Sequence, residues 1–171
     1  MYKRQHLEGS SRERLDDLRD RCAAVLMEAL DLPGLDHATA REVMLGALEF
    51  IPFPDALPAL EALRDHVVVI VSNWDCSLPD WLEPAGLLEH VEAVVTSAQV
   101  GVAKPGRAIF ERALELAGAR PADAVHVGDS LDNDVVGARA AGIRPVLVAR
   151  DGRPPDGVEA VRSLAELPAL L

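Results

Sequence analysis

The sequence predicts an α/β fold, a parallel sheet with flanking helices, and three observations carry that prediction. Runs of β-branched residues recur from position 67 onward: "HVVVIVSN", "VEAVVTS", "DAVHVGD" and "RPVLVA". Continuous apolar runs of this kind suit strands covered on both faces. Segments of helical periodicity separate them, so the connections are right-handed crossovers. Polar and glycine residues then follow the runs, at Ser72-Asn73 and Gly128-Asp129. Ligands of such sheets bind beyond the carboxyl ends of the strands.

The first part of the chain reads as helix. "SSRERLDDLRDRCAAVLMEALDL" places Leu15, Leu18, Cys22, Val25, Leu26 and Ala29 on one stripe, with Ser11 as N-cap and Glu13 and Asp16 near the positive end of the dipole. "DHATAREVMLGALEF" is a second helix, capped by Asp36 or His37, and "PDALPALEALRD" a third, capped by Asp55. After the first strand, "LPDWLEPAGLLEH" is helical with a break at Pro84. "KPGRAIFERALELAGA" has Pro105 at its first helical position and Gly118 near its end. "NDVVGARAAG" closes at Gly142, and "SLAELPALL" is a last short helix.

The bulk numbers exclude several classes. Hydrophobic residues make up 49% of the 171 and charged residues 26%, the profile of an ordinary folded domain. A formal charge of -11 argues against a nucleic-acid partner, which needs a basic stripe. An anionic substrate must therefore be attracted locally, by a metal or a lysine. Cys22 and Cys76 form neither a CxxC pair nor a disulfide framework. The longest aliphatic run, residues 67–71, is too short to span a bilayer, and the N-terminus has no signal-peptide core. The expectation is a cytoplasmic protein without a membrane partner.

The strand ends suit phosphoryl chemistry. Ser72 and Asn73 offer donors to phosphate oxygens, and Lys104 offers a point charge just before a helix. Asp129 and Asp134, on a turn entering a helix, suit a hard cation such as Mg²⁺, which takes a few carboxylates, water and substrate oxygens. The cation would make this cluster of negative charge tolerable. Gly128 lets the backbone turn closely, and Gly137 lets its helix approach the sheet. Each residue alone has a plainer reading: Ser72 as a turn residue, Lys104 as a surface charge, the aspartates as helix caps. In series at strand ends, the functional reading is favoured. His126 reads as a core histidine, Cys76 has no evident base, and Trp74 and Trp81 read as packing near the site.

"VVVIVSNWD", "VGVAKPGRAIFERAL" and "HVGDSLDNDVVGARAAGIRPVLVARDG" resemble the second, third and fourth motifs of the haloacid dehalogenase (HAD) superfamily, nearest to hydrolases with a helical cap. The resemblance runs from Phe53 to the C-terminus; the fourth motif is specific, and "KPG" departs slightly from the usual KPDP. It implies a Rossmann-like core, an aspartyl-phosphate formed on an Asp in a DxDx[TV] motif, and a second aspartate as general acid and base. It further implies phosphoryl binding by Ser72 and Lys104 and Mg²⁺ on Asp129 and Asp134. The Gly128-Asp129 pair favours a phosphatase over a dehalogenase, whose members need no metal.

The DxDx[TV] motif does not occur before Ser72; the one DxD, Asp132-Asn133-Asp134, lies in the fourth motif. The expectation is therefore a core missing its first, central strand, with residues 1–54 the remnant of a cap and residues 55–171 the core. "MYKRQ" is also what GTG-TAT-AAG-AGA-CAG encodes, a string resembling the end of a sequencing-library transposon adapter, so residues 1–5 are expected to be non-native. The parent would hydrolyse a small phosphorylated metabolite, and this chain would not turn over. Its unpaired sheet edges would invite self-association. A noncatalytic phosphate- or partner-binding protein and a dehalogenase-type relative remain as alternatives.

Overall fold

The structure, a computed structural model, describes residues 6–30 and 34–171. The non-native reading of residues 1–5 lies outside them. Two helices, α1 (Arg12–Leu30) and α2 (His37–Gly46), pack against each other, then α3 (Ala56–Ala62) leads into the strands. These are β1 (Val69–Ser72), β2 (Ala93–Thr96), β3 (Val125–Gly128), β4 (Arg144–Val148) and β5 (Ala160–Val161). The helices between them are α4 (Leu78–Leu82), α5 (Ser97–Val100), α6 (Arg107–Ala117) and α7 (Gly137–Ala140). All pairings are parallel, as expected, but they form two sheets, β1–β2 and β3–β4–β5.

The register shows which edges are open. Alternate residues of a strand direct their backbone groups to opposite neighbours. Val71 O accepts from the Lys104 ammonium, which places the backbone of Val69 and Val71 on the side of β1 away from β2. Leu147 N donates to Glu159 O, so Val146 faces β3; with Val127 opposite Val146, the backbone of Val125 and Val127 also faces away. These two edges have no strand partner among the described residues. Both β1 and β3 are half-buried throughout, where full burial was expected.

Two apolar layers span both sheets and hold them together. On one face Ile109, Phe110, Ala138 and Ile143 pack with Val95 and receive Val69 and Val71. On the other, Leu63, Val146, Val161 and Leu167 receive Val68, Val125 and Val127. Gly137 permits the first layer: a Cβ there would lie 2.7 Å from Phe110, which is fully buried.

Several local expectations need correction. On α1 the buried stripe is Leu15, Leu18 and Ala23, while Val25 is 60% exposed and Ala29 is exposed; among the described residues the helix packs chiefly on α2. Asp36 caps α2, accepting from Thr39 N at 2.9 Å. Asp55 makes no cap bond to α3; its carboxylate is drawn instead to Arg150 Nη1 and Nη2 (2.8 and 2.9 Å), Ser163 Oγ (2.7 Å) and Leu164 N (2.9 Å). Pro105 precedes α6 rather than opening it, so Lys104 sits on the approach loop. Residues 131–136 form a wide π-helical turn before α7. The C-terminal segment is a 3₁₀ helix, Leu164–Ala169, with a Ser163–Glu166 capping box. Among the described residues no helix is long and apolar enough to cross a membrane.

Candidate active site

The loop after β1 and the loop before α6 are joined by a side-chain amide. Lys104 N donates to Asn73 Oδ1 at 2.7 Å, and Asn73 Nδ2 donates to Lys104 O at 3.1 Å. This reciprocal pair fixes the backbone of Lys104 beside the end of β1. Asn73, expected to contact substrate, thus serves here to position the lysine.

The Lys104 ammonium then reaches back to the sheet edge. Its Nζ donates to Val71 O at 3.0 Å, a carbonyl on the open edge of β1, and to Asp134 Oδ1 at 2.6 Å. Among the described residues these two acceptors engage two of its three N–H bonds. The same Asp134 oxygen lies 2.9 Å from His126 Nε2 on β3, and Ser130 N donates to Oδ2 at 3.0 Å. The C-terminal ends of β1 and β3 therefore meet at one lysine–carboxylate pair.

Asp134 is 3% exposed. Burial alone would push its carboxyl up, but the hydrogen bonds from His126 and Lys104 and the Lys104 charge override it and hold the group well below the usual carboxylate range. Gly128 is what lets it in: a Cβ at that position would lie 2.2 Å from the Asp134 Cγ. The ring of His126 packs edge-on against Phe110, with centroids 5.0 Å apart. The sequence pattern makes His126 a core residue and does not show its contact with Asp134. His126 stands two residues before Gly128, on the same face of β3, and that alternation was the available signal.

The expected metal pair is divided. Asp134 is committed to Lys104, His126 and Ser130, whereas Asp129 and Asp132 are exposed. Among the described residues no group of three or more His, Cys, Asp or Glu side chains converges as a metal cluster. Mg²⁺ takes one or two protein carboxylates and completes its shell with water and substrate oxygens, so Asp129 and Asp134 are the residues here that would hold it.

Beyond Ser72 the loop is fixed by buried polar groups. Ser97 Oγ and Ala98 N both donate to Trp74 O, at 3.1 and 3.2 Å, tying the end of β1 to the start of α5. The Asp75 carboxylate accepts from Ser77 N and Oγ at 2.8 and 2.6 Å at the entry to α4. Burial pushes the Cys76 thiol up, with the Asp75 charge adding to it, and both disfavour the thiolate. A hollow of about 220 Å³ opens next to Ser72, between Trp74, Trp81 and Phe50.

Comparisons with known proteins bear on the family. The family model of haloacid dehalogenase-like hydrolases matches residues 3–142. A phosphoserine phosphatase of Thermus thermophilus is 46% identical over 142 residues, 77% of this chain and 56% of that protein. The haloacid dehalogenase-like hydrolase domain-containing protein 3 of Bos taurus is 48% identical over 86 residues, 50% of this chain and 34% of that protein. Thus the chain spans well under two thirds of the length of these relatives. Among solved structures, a HAD phosphatase from Thermococcus onnurineus superposes with a TM-score of 0.68 at 29% identity, covering 99% of this chain and 87% of that one. With the family model matching most of its length, and with the expected motifs meeting at the ends of parallel strands, this chain belongs to the haloacid dehalogenase-like hydrolases.

Proposed function

We propose that the intact parent of this chain is a Mg²⁺-dependent phosphatase that hydrolyses a small phosphate monoester through an aspartyl-phosphate. One observation carries this reading: the Lys104 ammonium is fixed between Val71 O and Asp134, at the point where the ends of β1 and β3 converge. A cation so held is suited to a phosphoryl oxygen. The Ser72 hydroxyl would supply a second donor, Asn73 would hold the lysine loop, and His126 would keep Asp134 in place. The relatives named as phosphatases support this chemistry over dehalogenation.

Mg²⁺ belongs to the proposal with Asp129 as its exposed carboxylate and Asp134 behind it. Water and substrate oxygens would complete its shell, and no metal-dependent step is assigned to these residues. The nucleophile is likewise to come from a DxDx[TV] strand outside these 171 residues. This chain is therefore proposed to be a catalytically silent fragment. A second reading, a noncatalytic phosphate-binding protein, rests on that same missing motif.

The test is the upstream coding sequence of the source DNA. An in-frame DxDx[TV], and metal-dependent release of phosphate from an aryl phosphate by the extended protein, are expected. A native start at Met1, with a stable chain that binds phosphate without turnover, would establish the second reading instead. The open edges of β1 and β3 are also proposed to pair between copies, giving oligomers by light scattering that the extended protein does not form.

A further inference from the structure

The hollow beside Ser72 has a composition unlike the rest of the site. Phe50 stands edge-on between two indoles, its centroid 5.0 Å from Trp74 and 4.7 Å from Trp81. Ile51 and Leu82 complete the wall, and Ser72 is the one hydroxyl among the lining side chains, none of which is charged. The apolar groups here are not hidden: Phe50 is 44% exposed and Ile51 77%. Contiguous exposed apolar surface at a cleft is a binding feature far more often than an accident of folding.

The position of Ser72 joins this hollow to the phosphoryl-binding groups. It follows Val71, whose carbonyl accepts from Lys104 Nζ. It precedes Asn73, which holds the lysine backbone. A ligand with its phosphoryl group at Lys104 would thus direct its organic part past Ser72 and between the aromatic rings. A sugar or polyol there would lose water and find few hydrogen-bond partners, the Ser72 hydroxyl and the indole N–H groups being the polar groups of the lining side chains. A ring or short hydrocarbon would be stabilised by its own burial and by edge-to-face contact with the indoles. About 220 Å³ accommodates one ring and a short chain.

We propose that this hollow selects the organic part of the substrate, so that the protein prefers phosphate monoesters of aromatic or compact apolar alcohols over those of polyols. The proposal rests on the Lys104 reading above and adds the substrate class to it.

Both tryptophans of the chain, Trp74 and Trp81, line the hollow, so intrinsic fluorescence reports its occupancy directly. The full chain is titrated with phenyl phosphate, glycerol phosphate and inorganic phosphate. Phenyl phosphate is expected to bind about tenfold or more tightly than glycerol phosphate, with a change in tryptophan emission that inorganic phosphate does not produce. Phe50→Ala is expected to bring the phenyl-to-glycerol ratio close to one. The wild-type comparison decides the matter even if that variant fails to fold. Equal affinities for phenyl and glycerol phosphate, with inorganic phosphate still bound, would overturn the proposal and leave the Lys104 reading intact. If none of the three binds, the Lys104 reading falls and the proposal falls with it.

Discussion

Asp134 and Asp55 are both carboxylates held well below the usual range, yet the two regions around them are built to different ends. At Asp55, the bidentate Arg150 guanidinium, Ser163 Oγ and Leu164 N meet the carboxylate. Arg150 also stacks over Phe53, 3.9 Å from its centroid. That cluster ties the segment before α3 to the C-terminal part of the chain and leaves no charge unanswered. At Asp134 the same low carboxylate is reached in the protein interior, but among the described residues its partner lysine uses two of its three N–H bonds and faces an open strand edge. A junction closes its hydrogen bonds, whereas a binding site keeps some capacity in reserve.

Breaking each cluster separates the two roles. Asp134→Ala leaves Lys104 buried without its carboxylate and should cost about 3–5 kcal/mol, read as a fall in the denaturant midpoint. Phosphate affinity should fall with it. Gly128→Ala comes next: the new Cβ would overlap Asp134, so the buried acid must move, and phosphate binding should be lost even where the chain still folds. Asp55→Ala should lower the midpoint while leaving phosphate affinity unchanged, because its partners lie apart from Lys104.

The pH dependence has one sign for both acids. Burial pushes Asp134 up but its hydrogen bonds prevail, and the Arg150 and Ser163 hydrogen bonds lower Asp55. In the unfolded chain each takes up a proton near pH 4, while the native forms resist protonation. Protons therefore favour the unfolded state: the stabilisation is present above about pH 4 and is lost as pH falls further toward the native values. Acid unfolding curves should steepen below that pH, and Asp55→Asn should remove part of the slope.

Much of this was legible in the sequence, for identifiable reasons. The strands showed as β-branched runs, and Ser72, Lys104 and Asp134 showed as polar residues where ligands of parallel sheets bind. Gly128 was singled out for closeness, and the close group proved to be Asp134. What stayed hidden depended on partners far along the chain. Asp55 read as a cap because nothing local announces Arg150, 95 positions away. His126 read as core because a strand pattern gives the face of a residue, not what approaches it. Asn73 read as a substrate contact because its bonds to the Lys104 backbone arise only when two loops meet. The division into two sheets was anticipated only through the missing first motif.

Calorimetric titration of the full chain with inorganic phosphate, beside Lys104→Gln, tests the central claim most directly. The account predicts one site per chain in the wild type and at least a tenfold loss in the variant, about 1.4 kcal/mol, with the fold retained by circular dichroism. Equal binding by the two proteins would contradict it, for the phosphoryl group would then lie elsewhere than at Lys104.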